Sequence, residues 1–353
     1  MRVLLTGAAG FIGSAIWSQL ESAGHEVVGL DAFIPQAHHA GGHAHPRDGE
    51  VRRADVREID HLRPLLDSVD VVCHQAAMVG AGVTPADLPL YAGHNDLGTA
   101  VLLAAMAEAG TARLVLASSM VVYGDGRYRC PEHGDQAATV RSLDDLEAGV
   151  FDVGCPVCGQ AMGWSLVDED ARLQPRSSYA ASKLAQEHFA LAWARQLPAS
   201  VVALRYHNVY GPGMPRDTPY SGVAAMFRSA LESGQAPTVY EDGGQMRDFV
   251  HVDDVGRANV RAVERVAGLA GDTFETFNVC SGRPVRIAEV AELVAAGTGR
   301  GDLAPKVTGQ FRSGDVRHIV ASPLRAREVL GFTAQVAPYD GLPAFATAPL
   351  RDA

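Results

Sequence analysis

The N-terminal residues combine a short apolar run, a glycine-rich turn and a helical pattern. Residues 2–6 form the apolar run, Gly7, Gly10 and Gly13 follow it, and the helical pattern extends to about residue 23. Glycines at these positions let backbone N–H groups approach a pyrophosphate at the N-terminus of a helix. Glycines alone would be a weak signal, but a strand before them and a helix after them predict dinucleotide binding.

A second strand-like run, residues 26–30, ends in Asp31. An acidic side chain there accepts hydrogen bonds from a ribose 2′-OH and repels a 2′-phosphate, which favours NAD over NADP. Further along the chain, strands alternate with helices of ordinary length, a pattern typical of βαβ units. The sequence therefore predicts an α/β fold, with a Rossmann-type doubly wound parallel sheet.

Composition and charge exclude several classes of protein. The 353 residues are 47% apolar and 20% charged, which is ordinary for a globular protein, and the net charge of −11 argues against coating nucleic acid. We expect no membrane span, no signal peptide and, from five scattered cysteines, a reduced cytoplasmic protein. Four histidines within residues 38–45 lie among small residues, which favours a solvated loop over a metal site.

A tyrosine and a lysine at Tyr179 and Lys183 begin a helical pattern. Residues four apart lie on one face of a helix, so both side chains can reach one pocket. A nearby cation favours phenolate over phenol, which makes Tyr179 a candidate base near neutral pH. Taken alone, the spacing fits a half-buried tyrosine beside a surface lysine equally well or better.

Residues 125–173 break the alternating pattern and hold two pairs of metal-ligating side chains. Cys130 and His133 form a C-x₂-H pair, and Cys155 and Cys158 form a C-x₂-C pair 21 residues later. Two such pairs are typical of zinc ribbons, in which each tight turn aims two ligands at one tetrahedral ion. An irregular loop with incidental thiols is the alternative. We favour structural zinc without a catalytic role, because four protein ligands leave no open position.

Motifs at ordered spacings extend along nearly the whole chain. They are Thr6-Gly7-x-x-Gly10-x-Ile12-Gly13, Asp31, Asp55-Val56, His74-x-Ala76-Ala77, Asn95, Ser118-Ser119, Tyr179-x-x-x-Lys183, Arg205-x-x-Asn208-Val209-Tyr210-Gly211-Pro212 and Arg247-Asp248-Phe249-Val250-His251-Val252-x-Asp254. In these motifs the chain resembles the extended short-chain dehydrogenase/reductases that act on nucleotide sugars, the epimerase and dehydratase group. Within that group it is most similar to NAD-dependent 4-epimerases of the UDP-glucose 4-epimerase type, and to bacterial epimerases acting on dTDP-L-rhamnose.

The resemblance implies a redox mechanism on a nucleoside-diphosphate sugar. Bound NAD would take a hydride from C4 of the sugar and return it to the other face of the 4-keto intermediate. Tyr179 would accept the hydroxyl proton, Lys183 would lower the pKa of Tyr179, and Ser119 would bind the same sugar oxygen. The resemblance further assigns cofactor contacts to Gly7, Gly10, Phe11, Ile12, Gly13, Asp31, Asp55, Val56, Ala76, Asn95, Tyr179 and Lys183, and substrate contacts to Ser119, Asn208, Tyr240, Arg247 and Arg312.

It also implies two domains and a homodimer. Residues 1–206 would bind NAD and carry the Cys-rich insert of residues 125–173. Residues 207–353 would form a smaller α/β domain that mainly binds the nucleotide sugar, with short returns to the Rossmann core. Two copies would pair through the helix after Asn95 and the helix that carries Tyr179.

One departure from the group's pattern limits the reaction. The 4,6-dehydratases carry Asp-Glu directly after the residue at Ser119, whereas this chain has Met120 and Val121, which cannot transfer protons. Dehydration is therefore disfavoured. Another NAD-dependent redox enzyme that acts on nucleotide sugars, a decarboxylase, a reductase or a dehydratase, is the alternative. A non-catalytic NAD-binding scaffold is a remote alternative because Ser119, Tyr179 and Lys183 are all present.

Overall fold

The computed structural model describes residues 1–35, 49–80, 84–216 and 222–351, so the interpretation of residues 38–45 as a solvated loop lies outside the described residues. The strands are β1 (Arg2–Thr6), β2 (Glu26–Asp31), β3 (Val51–Arg53), β4 (Val71–His74), β5 (Arg113–Ser119), β6 (Arg127–Cys130), β7 (Gly134–Gln136), β8 (Gly163–Ser165), β9 (Ser200–Tyr206), β10 (Asn208–Tyr210), β11 (Thr238–Val239), β12 (Met246–Arg247), β13 (Phe249–His251), β14 (Thr273–Val279), β15 (Val285–Arg286), β16 (Lys306–Val307) and β17 (His318–Ile319).

The helices are α1 (Phe11–Ser22), α2 (Ile59–Leu62), α3 (Leu88–Tyr91), α4 (Gly98–Ala109), α5 (Leu143–Glu147), α6 (Ser178–Gln196), α7 (Val223–Glu232), α8 (Val252–Ala267), α9 (Ile287–Gly297), α10 (Leu324–Glu328) and α11 (Pro338–Phe345). A π-helical turn, Ala92–Leu97, joins α3 to α4, and 3₁₀ turns lie at Arg63–Leu65, Pro85–Asp87 and Met120–Tyr123. In the described part of the chain, no helix combines the length and apolarity that a membrane crossing requires.

Seven parallel strands form the central sheet, in the order β14-β9-β5-β4-β1-β2-β3. The strand order reverses between β1 and β4, whose last residues, Thr6 and His74, are register partners. In open α/β sheets, ligands bind outside the carboxyl ends of the strands at such a reversal. The predicted doubly wound parallel sheet is therefore confirmed.

Both faces of the sheet are covered, as a parallel sheet requires. Successive side chains of a strand point to opposite faces. Leu5 of β1 accordingly packs in one core with Ile16 of α1, whereas Leu4 packs in the other core with Leu102 of α4 and Trp193 of α6. The central sheet thus lies between two apolar layers.

The C-terminal part of the chain builds smaller sheets around a third core. β10 pairs with β13, β11 with β16, and β12 lies between β15 and β17. Their core contains Tyr210, Phe227, Phe249 and Leu342. Two elements of this part join the central layers, because α8 packs against α1 and β14 is the edge strand beside β9.

Residues 125–173, hereafter the Cys-rich insert, form a compact unit. β6 is the centre of a three-stranded antiparallel sheet between β7 and β8. A small core of its own contains Tyr128, Cys130, Cys155 and Met162. Strands of three or four residues are too short to produce a clear period, so this sheet escapes prediction from the sequence.

Candidate active site

The glycine turn has the close packing that a dinucleotide site needs. Gly7 has a left-handed φ of 68°, and a Cβ there would lie 2.8 Å from the backbone nitrogen of Ala76. A Cβ on Gly13 would lie 2.0 Å from the carbonyl oxygen of Gly7. The turn leads into α1 at Phe11, with Gly10 as a cap that makes no side-chain hydrogen bond. Only glycine fits at Gly7 and Gly13, and the free N-terminal amides of α1 suit a pyrophosphate.

Two acidic residues continue this edge of the sheet. Asp31 ends β2 and is buried, and its carboxylate accepts the N–H groups of Ala9 at 3.1 Å and Phe33 at 2.8 Å. Asp55 follows β3 and accepts both Nε and Nη2 of Arg57, which lowers the pKa of Asp55. Val56 beside it is buried. The carboxyl ends of β1, β2 and β3 thus bring together the groups that the sequence assigns to NAD.

His74 is a packing residue at the reversal of strand order. Its Nδ1 lies 2.8 Å from Oγ1 of Thr6, and its Nε2 lies 3.1 Å from Oγ1 of Thr99. The same Thr6 hydroxyl accepts the N–H of Ala76 at 3.1 Å. Burial, with a smaller effect of the Lys183 charge, lowers the pKa of His74 to about 3. A neutral imidazole with both nitrogens engaged holds β1 to β4 and gives no sign of a catalytic role.

Asn95 links the segment after β4 to α6. Its Oδ1 accepts the N–H of Met78 at 2.7 Å, and its Nδ2 donates to the carbonyl of Met78 at 2.9 Å and to Oγ of Ser182 at 2.8 Å. The side chain is fully buried in the π-helical turn. Since Ser182 lies between Tyr179 and Lys183, Asn95 helps to fix the helix face that carries both.

The three predicted catalytic residues meet where β5 ends and α6 begins. Ser177 caps α6 by accepting the N–H of Ala180 at 3.1 Å, which places Tyr179 in the first turn. Ser119, the last residue of β5, lies close enough to the phenol of Tyr179 to lower the pKa of that phenol. Lys183 is buried, and its Nζ donates to the carbonyl of Ala117 at 3.0 Å. Two hydroxyls and an ammonium therefore share one corner of the carboxyl edge.

Burial is the main cause of the pKa shifts in this corner. Desolvation raises the pKa of Tyr179 to about 12, against a lowering by the hydrogen bond from Ser119. Desolvation also lowers the pKa of Lys183 to about 8, against a raising by Glu187. For the protein chain by itself, burial sets the direction of the Tyr179 pKa shift, and a lowering of that pKa by Lys183 stays a prediction.

A buried ionic network behind α6 is absent from the sequence-based prediction. Glu187 accepts Nε of Arg205 at 3.0 Å and Nη2 at 2.8 Å, and it also accepts the hydroxyl of Ser118. Arg205 donates in addition to the Tyr123 hydroxyl at 3.0 Å. The sequence does contain a signal for this network, since Glu187 continues the four-residue spacing of Tyr179 and Lys183 on the same helix face. The network fastens the catalytic face of α6 to β5 and β9.

The predicted substrate residues other than Ser119 lie in the C-terminal part of the chain. Arg247 of β12 donates to the carbonyls of Met246 at 2.9 Å and Arg317 at 3.0 Å, and desolvation lowers its pKa. The guanidinium of Arg312 lies 5.2 Å from the centre of the Tyr240 ring. Among the described residues, no hydrogen bond joins this group to Ser119, Tyr179 or Lys183.

A buried histidine and a half-buried asparagine follow the end of β9. Within the described chain, Oδ1 of Asn208 and both ring nitrogens of His207 have no hydrogen-bond partner. Burial, helped by the charge of Arg247, lowers the pKa of His207 to about 3. Asn208 is a predicted substrate residue, whereas His207 is absent from the prediction. Buried polar groups rarely remain without partners, so both suit a polar ligand at this strand end.

The four predicted metal ligands come together in the Cys-rich insert. All four donor atoms lie within 4.8 Å of one another. Sγ of Cys130 lies 3.6 Å from Nδ1 of His133 and 3.8 Å from Sγ of Cys158, and Sγ of Cys155 lies 3.8 Å from Nδ1 of His133. A tetrahedral Zn²⁺ separates two thiolate sulfurs by about 3.8 Å and a sulfur from a nitrogen by about 3.6 Å. The donor set and its spacing therefore fit zinc.

Known proteins share this architecture. The model of the family described as NAD dependent epimerase/dehydratase matches residues 3–142 and 157–280. The chain is 33% identical to dTDP-L-rhamnose 4-epimerase of Burkholderia thailandensis over 340 residues, which cover 95% of this chain and 91% of that protein. It is 32% identical to UDP-glucose 4-epimerase of Mycolicibacterium smegmatis over 346 residues, which cover 97% and 96%.

A solved structure agrees with both matches. The crystal structure of UDP-glucose 4-epimerase from Thermus thermophilus in complex with NAD has a TM-score of 0.74 and 30% identity to this chain, with 98% of each chain covered. The family match spans well over half of the residues, and the sheet order, glycine turn and Ser119–Tyr179 pair agree with it. The chain belongs to the NAD dependent epimerase/dehydratase family.

Proposed function

We propose that this protein is an NAD-dependent nucleotide-sugar 4-epimerase. The observation that carries the proposal is the proximity of the Ser119 hydroxyl to the phenol of Tyr179, one helical turn from Lys183, whose buried ammonium donates to the carbonyl of Ala117 on β5. This pair lies at the carboxyl edge of the same sheet as the glycine turn. A hydroxyl pair in that place suits proton exchange with a sugar hydroxyl beside a redox cofactor.

The chain has the residues to hold NAD along the carboxyl ends of β1 to β4. The pyrophosphate would lie on the turn of Gly7, Gly10, Phe11, Ile12 and Gly13, the adenosine ribose on Asp31, the adenine near Asp55 and Val56, and the rest of the cofactor near Ala76, Asn95, Tyr179 and Lys183. When bound, NAD supplies a reversible hydride acceptor. The close contacts at Gly7 and Gly13 support this assignment, since a dinucleotide-binding turn needs glycines for its tight bend and for the close packing of helix and strand.

The protein's own groups would handle the proton. Oη of Tyr179 takes the proton of the C4 hydroxyl when the sugar is oxidised to the 4-keto form, and returns it to the opposite epimer. Oγ of Ser119 holds the same oxygen. Because desolvation raises the pKa of Tyr179 to about 12, the phenolate needs a nearby cation, and the ammonium of Lys183 is one turn away on α6.

The nucleotide side would be bound by the C-terminal group. We assign the diphosphate to Asn208, Arg247 and Arg312, since guanidinium groups suit phosphate oxygens, and the nucleobase to Tyr240. This corresponds to a division into an NAD-binding domain, residues 1–206 with the Cys-rich insert, and a mainly substrate-binding domain, residues 207–353. α8 and β14 are the returns to the Rossmann core.

The residues after Ser119 favour epimerisation over dehydration. Met120 and Val121 open the 3₁₀ turn Met120–Tyr123, and neither side chain can donate or accept a proton. Loss of water from a sugar needs an acid and a base beside the reacting carbons. Redox chemistry with no elimination agrees better with these side chains.

A panel of UDP-, dTDP- and GDP-sugars tests the proposal, beginning with UDP-glucose and dTDP-L-rhamnose. We expect an equilibrium mixture of two C4 epimers with no net consumption of added NAD(H). Stoichiometric turnover of NADH, or release of CO₂, would assign a reductase or decarboxylase instead. Retention of NAD without conversion of any sugar would point to a scaffold.

We further propose a structural zinc in the Cys-rich insert, bound by Cys130, His133, Cys155 and Cys158. Cytoplasmic reducing conditions keep such thiols available. We expect one zinc per chain, and thiols that titrate freely only after the metal is chelated. Purified protein with well under one zinc per chain and three freely reacting thiols in the insert would contradict the site.

We also propose a homodimer. Apolar side chains remain exposed on neighbouring elements, with exposed fractions of 53% for Leu97 and 44% for Phe189. Leu97 ends the π-helical turn that packs against α6, and Phe189 lies on α6 itself. Pairing of α4 and α6 with a second copy would cover them. Analytical ultracentrifugation should show a dimer, and Phe189→Asp should shift it towards monomer.

A further inference from the structure

We infer that the Cys-rich insert is a metal-held clamp on residues 312–318, hereafter the Arg312 segment, and that zinc in the insert thereby sets the affinity for the nucleotide part of the substrate. This inference rests on the proposed function, because it concerns how Arg247 and Arg312 are positioned. Its experimental signature would be a coupling between the metal site and nucleotide binding that leaves NAD binding unchanged.

Arg141 of the insert makes the first connection. Its side chain is only 8% exposed. The guanidinium donates to Oε1 of Glu241 at 2.8 Å and to the carbonyl of Asp315 at 2.6 Å. It also donates to the carbonyl of Phe151 within the insert at 3.1 Å. One buried cation therefore joins the insert both to the Arg312 segment and to the residue after Tyr240.

Arg317 makes the second connection from the opposite side. It donates to Asp152 of the insert at 2.9 Å, to Glu241 at 2.8 Å and to Asp242 at 2.7 Å. Glu241 is thus shared by two buried arginines, and its backbone has a left-handed φ of 53°. Strain of this kind persists where the surroundings over-determine the backbone, and the two arginines provide that restraint.

β6 makes the third connection and leads directly to the metal ligands. Cys130 ends β6, and two residues earlier the hydroxyl of Tyr128 accepts the N–H of His318 at 3.0 Å. His318 begins β17, which pairs with β12 so that Arg247 is opposite Ile319. The guanidinium of Arg247 donates to the carbonyls of Val316 and Arg317. The strand that holds a zinc ligand therefore also holds the segment that orients Arg247.

The insert needs the metal to act in this way. Two of the five buried residues in its core, Cys130 and Cys155, are proposed ligands, so the apolar core is small. Small units of this kind commonly obtain their folding free energy from bound zinc. Among the described residues, none of the three connections reaches the glycine turn or Asp31. Loss of zinc should therefore loosen the substrate side and leave the NAD side in place.

Variants of the NAD-loaded enzyme test the coupling. Arg141→Ala removes the first connection without touching a metal ligand, and Cys158→Ser removes an exposed ligand. Arg129→Ala is the matched control, because Arg129 lies in the same insert, is 68% exposed and contacts Asp135 of the insert. For each variant we would measure the zinc content, the NAD content and the calorimetric affinity for UDP and dTDP. We would also measure kcat and KM on the sugar that the wild type converts.

We expect Arg141→Ala to keep its zinc and NAD while binding the preferred diphosphate about tenfold more weakly, within the usual range of coupling between sites. The loss should fall on KM more than on kcat. Cys158→Ser, and wild type treated with a chelator, should show the same defect without zinc, and Arg129→Ala should match wild type. Unchanged diphosphate affinity in Arg141→Ala or in zinc-free wild type overturns the clamp. Wild type that binds no nucleoside diphosphate overturns the proposed function itself.

Discussion

The hydroxyl of Tyr179 is the group on which the proposed chemistry depends most. Phenylalanine has nearly the same volume, so Tyr179→Phe removes the proton-carrying hydroxyl while keeping the packing against Tyr91, whose ring centre lies 5.8 Å away. We expect kcat to fall by about 10³-fold or more, because general acid–base groups contribute about 10²–10⁴-fold. NAD content and melting temperature should remain those of wild type.

Sugar turnover, the NAD released on denaturation and a thermal melt provide the measurements for this variant. Tyr339→Phe, at an exposed tyrosine of α11, is the matched control and should keep full activity. Undiminished turnover of Tyr179→Phe would refute the assigned base. Loss of NAD together with turnover would instead indicate a role in holding the cofactor.

A substitution at Gly13 tests the proposed NAD-binding glycine turn independently of catalysis. A Cβ there would lie 2.0 Å from the carbonyl oxygen of Gly7, a backbone atom that cannot move away without opening the turn. We expect Gly13→Ala to lose most of its NAD and to be destabilised by about 1–3 kcal/mol, as is typical of overpacking. Gly93→Ala is the control, because a Cβ at Gly93 meets no atom within 4 Å. Wild-type NAD affinity in Gly13→Ala would refute the proposed NAD-binding role of the turn.

At the level of elements, α6 shows what sequence can predict and what it cannot. The four-residue spacing of Tyr179 and Lys183 predicts a shared face because helical geometry is local. The partner of Glu187 is Arg205 on β9, and that pairing depends on how a strand and a helix pack together. The desolvation that raises the pKa of Tyr179 likewise comes from the packed structure, so a pattern in the sequence cannot show it.

The glycine turn and the Cys-rich insert also show that local patterns are predictable from the sequence and that long-range contacts are not. Gly7, Gly10 and Gly13 are recognisable because strand, turn and helix are contiguous in the chain. The two ligand pairs of the insert are recognisable because each pair lies within one tight turn. By contrast, the contact of Arg141 with Glu241 spans 100 residues, and no local pattern encodes it.

The ion pair that fastens α6 to β9 should be important for stability. Side chains of Glu187 and Arg205 are 3% and 4% exposed. Glu187→Gln would leave the guanidinium of Arg205 buried without its counter-charge, and breaking such pairs typically costs about 3–5 kcal/mol. Glu108→Gln is the control, since its pair with Arg63 is half exposed and should be worth less than about 1 kcal/mol. Equal denaturation midpoints of the two variants would contradict this role.

Across the whole molecule, the carboxyl edge of one sheet collects groups from distant parts of the chain. The glycine turn comes from its start, Ser119 and Tyr179 from its middle, and Asn208 follows β9 on the same side. Arg247 then approaches through the smaller C-terminal sheets, which the insert contacts through Arg141, Asp152 and Tyr128 among other residues. We therefore view the insert as part of the substrate side, although its position in the sequence is within the NAD-binding residues.

The proton balance of the folded molecule has two opposing parts. Burial lowers the pKa of His74 and His207 to about 3 and of His318 to about 4. In the unfolded chain these imidazoles bind protons below about pH 6.5, whereas in the folded chain they stay neutral until the pH is much lower. Burial also raises the pKa of Asp96 and Asp248 to about 6, so their folded carboxyls bind protons earlier than unfolded ones. The histidines destabilise the fold as the pH falls, and the two carboxyls oppose them.

The contribution of His207 to the pH dependence of stability can be measured with a single substitution. His207→Phe replaces a buried imidazole whose nitrogens have no partner in the described chain with an apolar ring, so the variant should be more stable than wild type. His207 lowers the free energy of unfolding of the wild type as the pH falls below about 6.5. The difference in free energy of unfolding between His207→Phe and wild type should therefore grow by about 1 kcal/mol between pH 6.5 and pH 5.5. Urea denaturation at both pH values measures it, with His61→Phe, at an exposed histidine, as control. A stability difference between His207→Phe and wild type that is the same at both pH values would mean that His207 is protonated in the folded state, contrary to its burial.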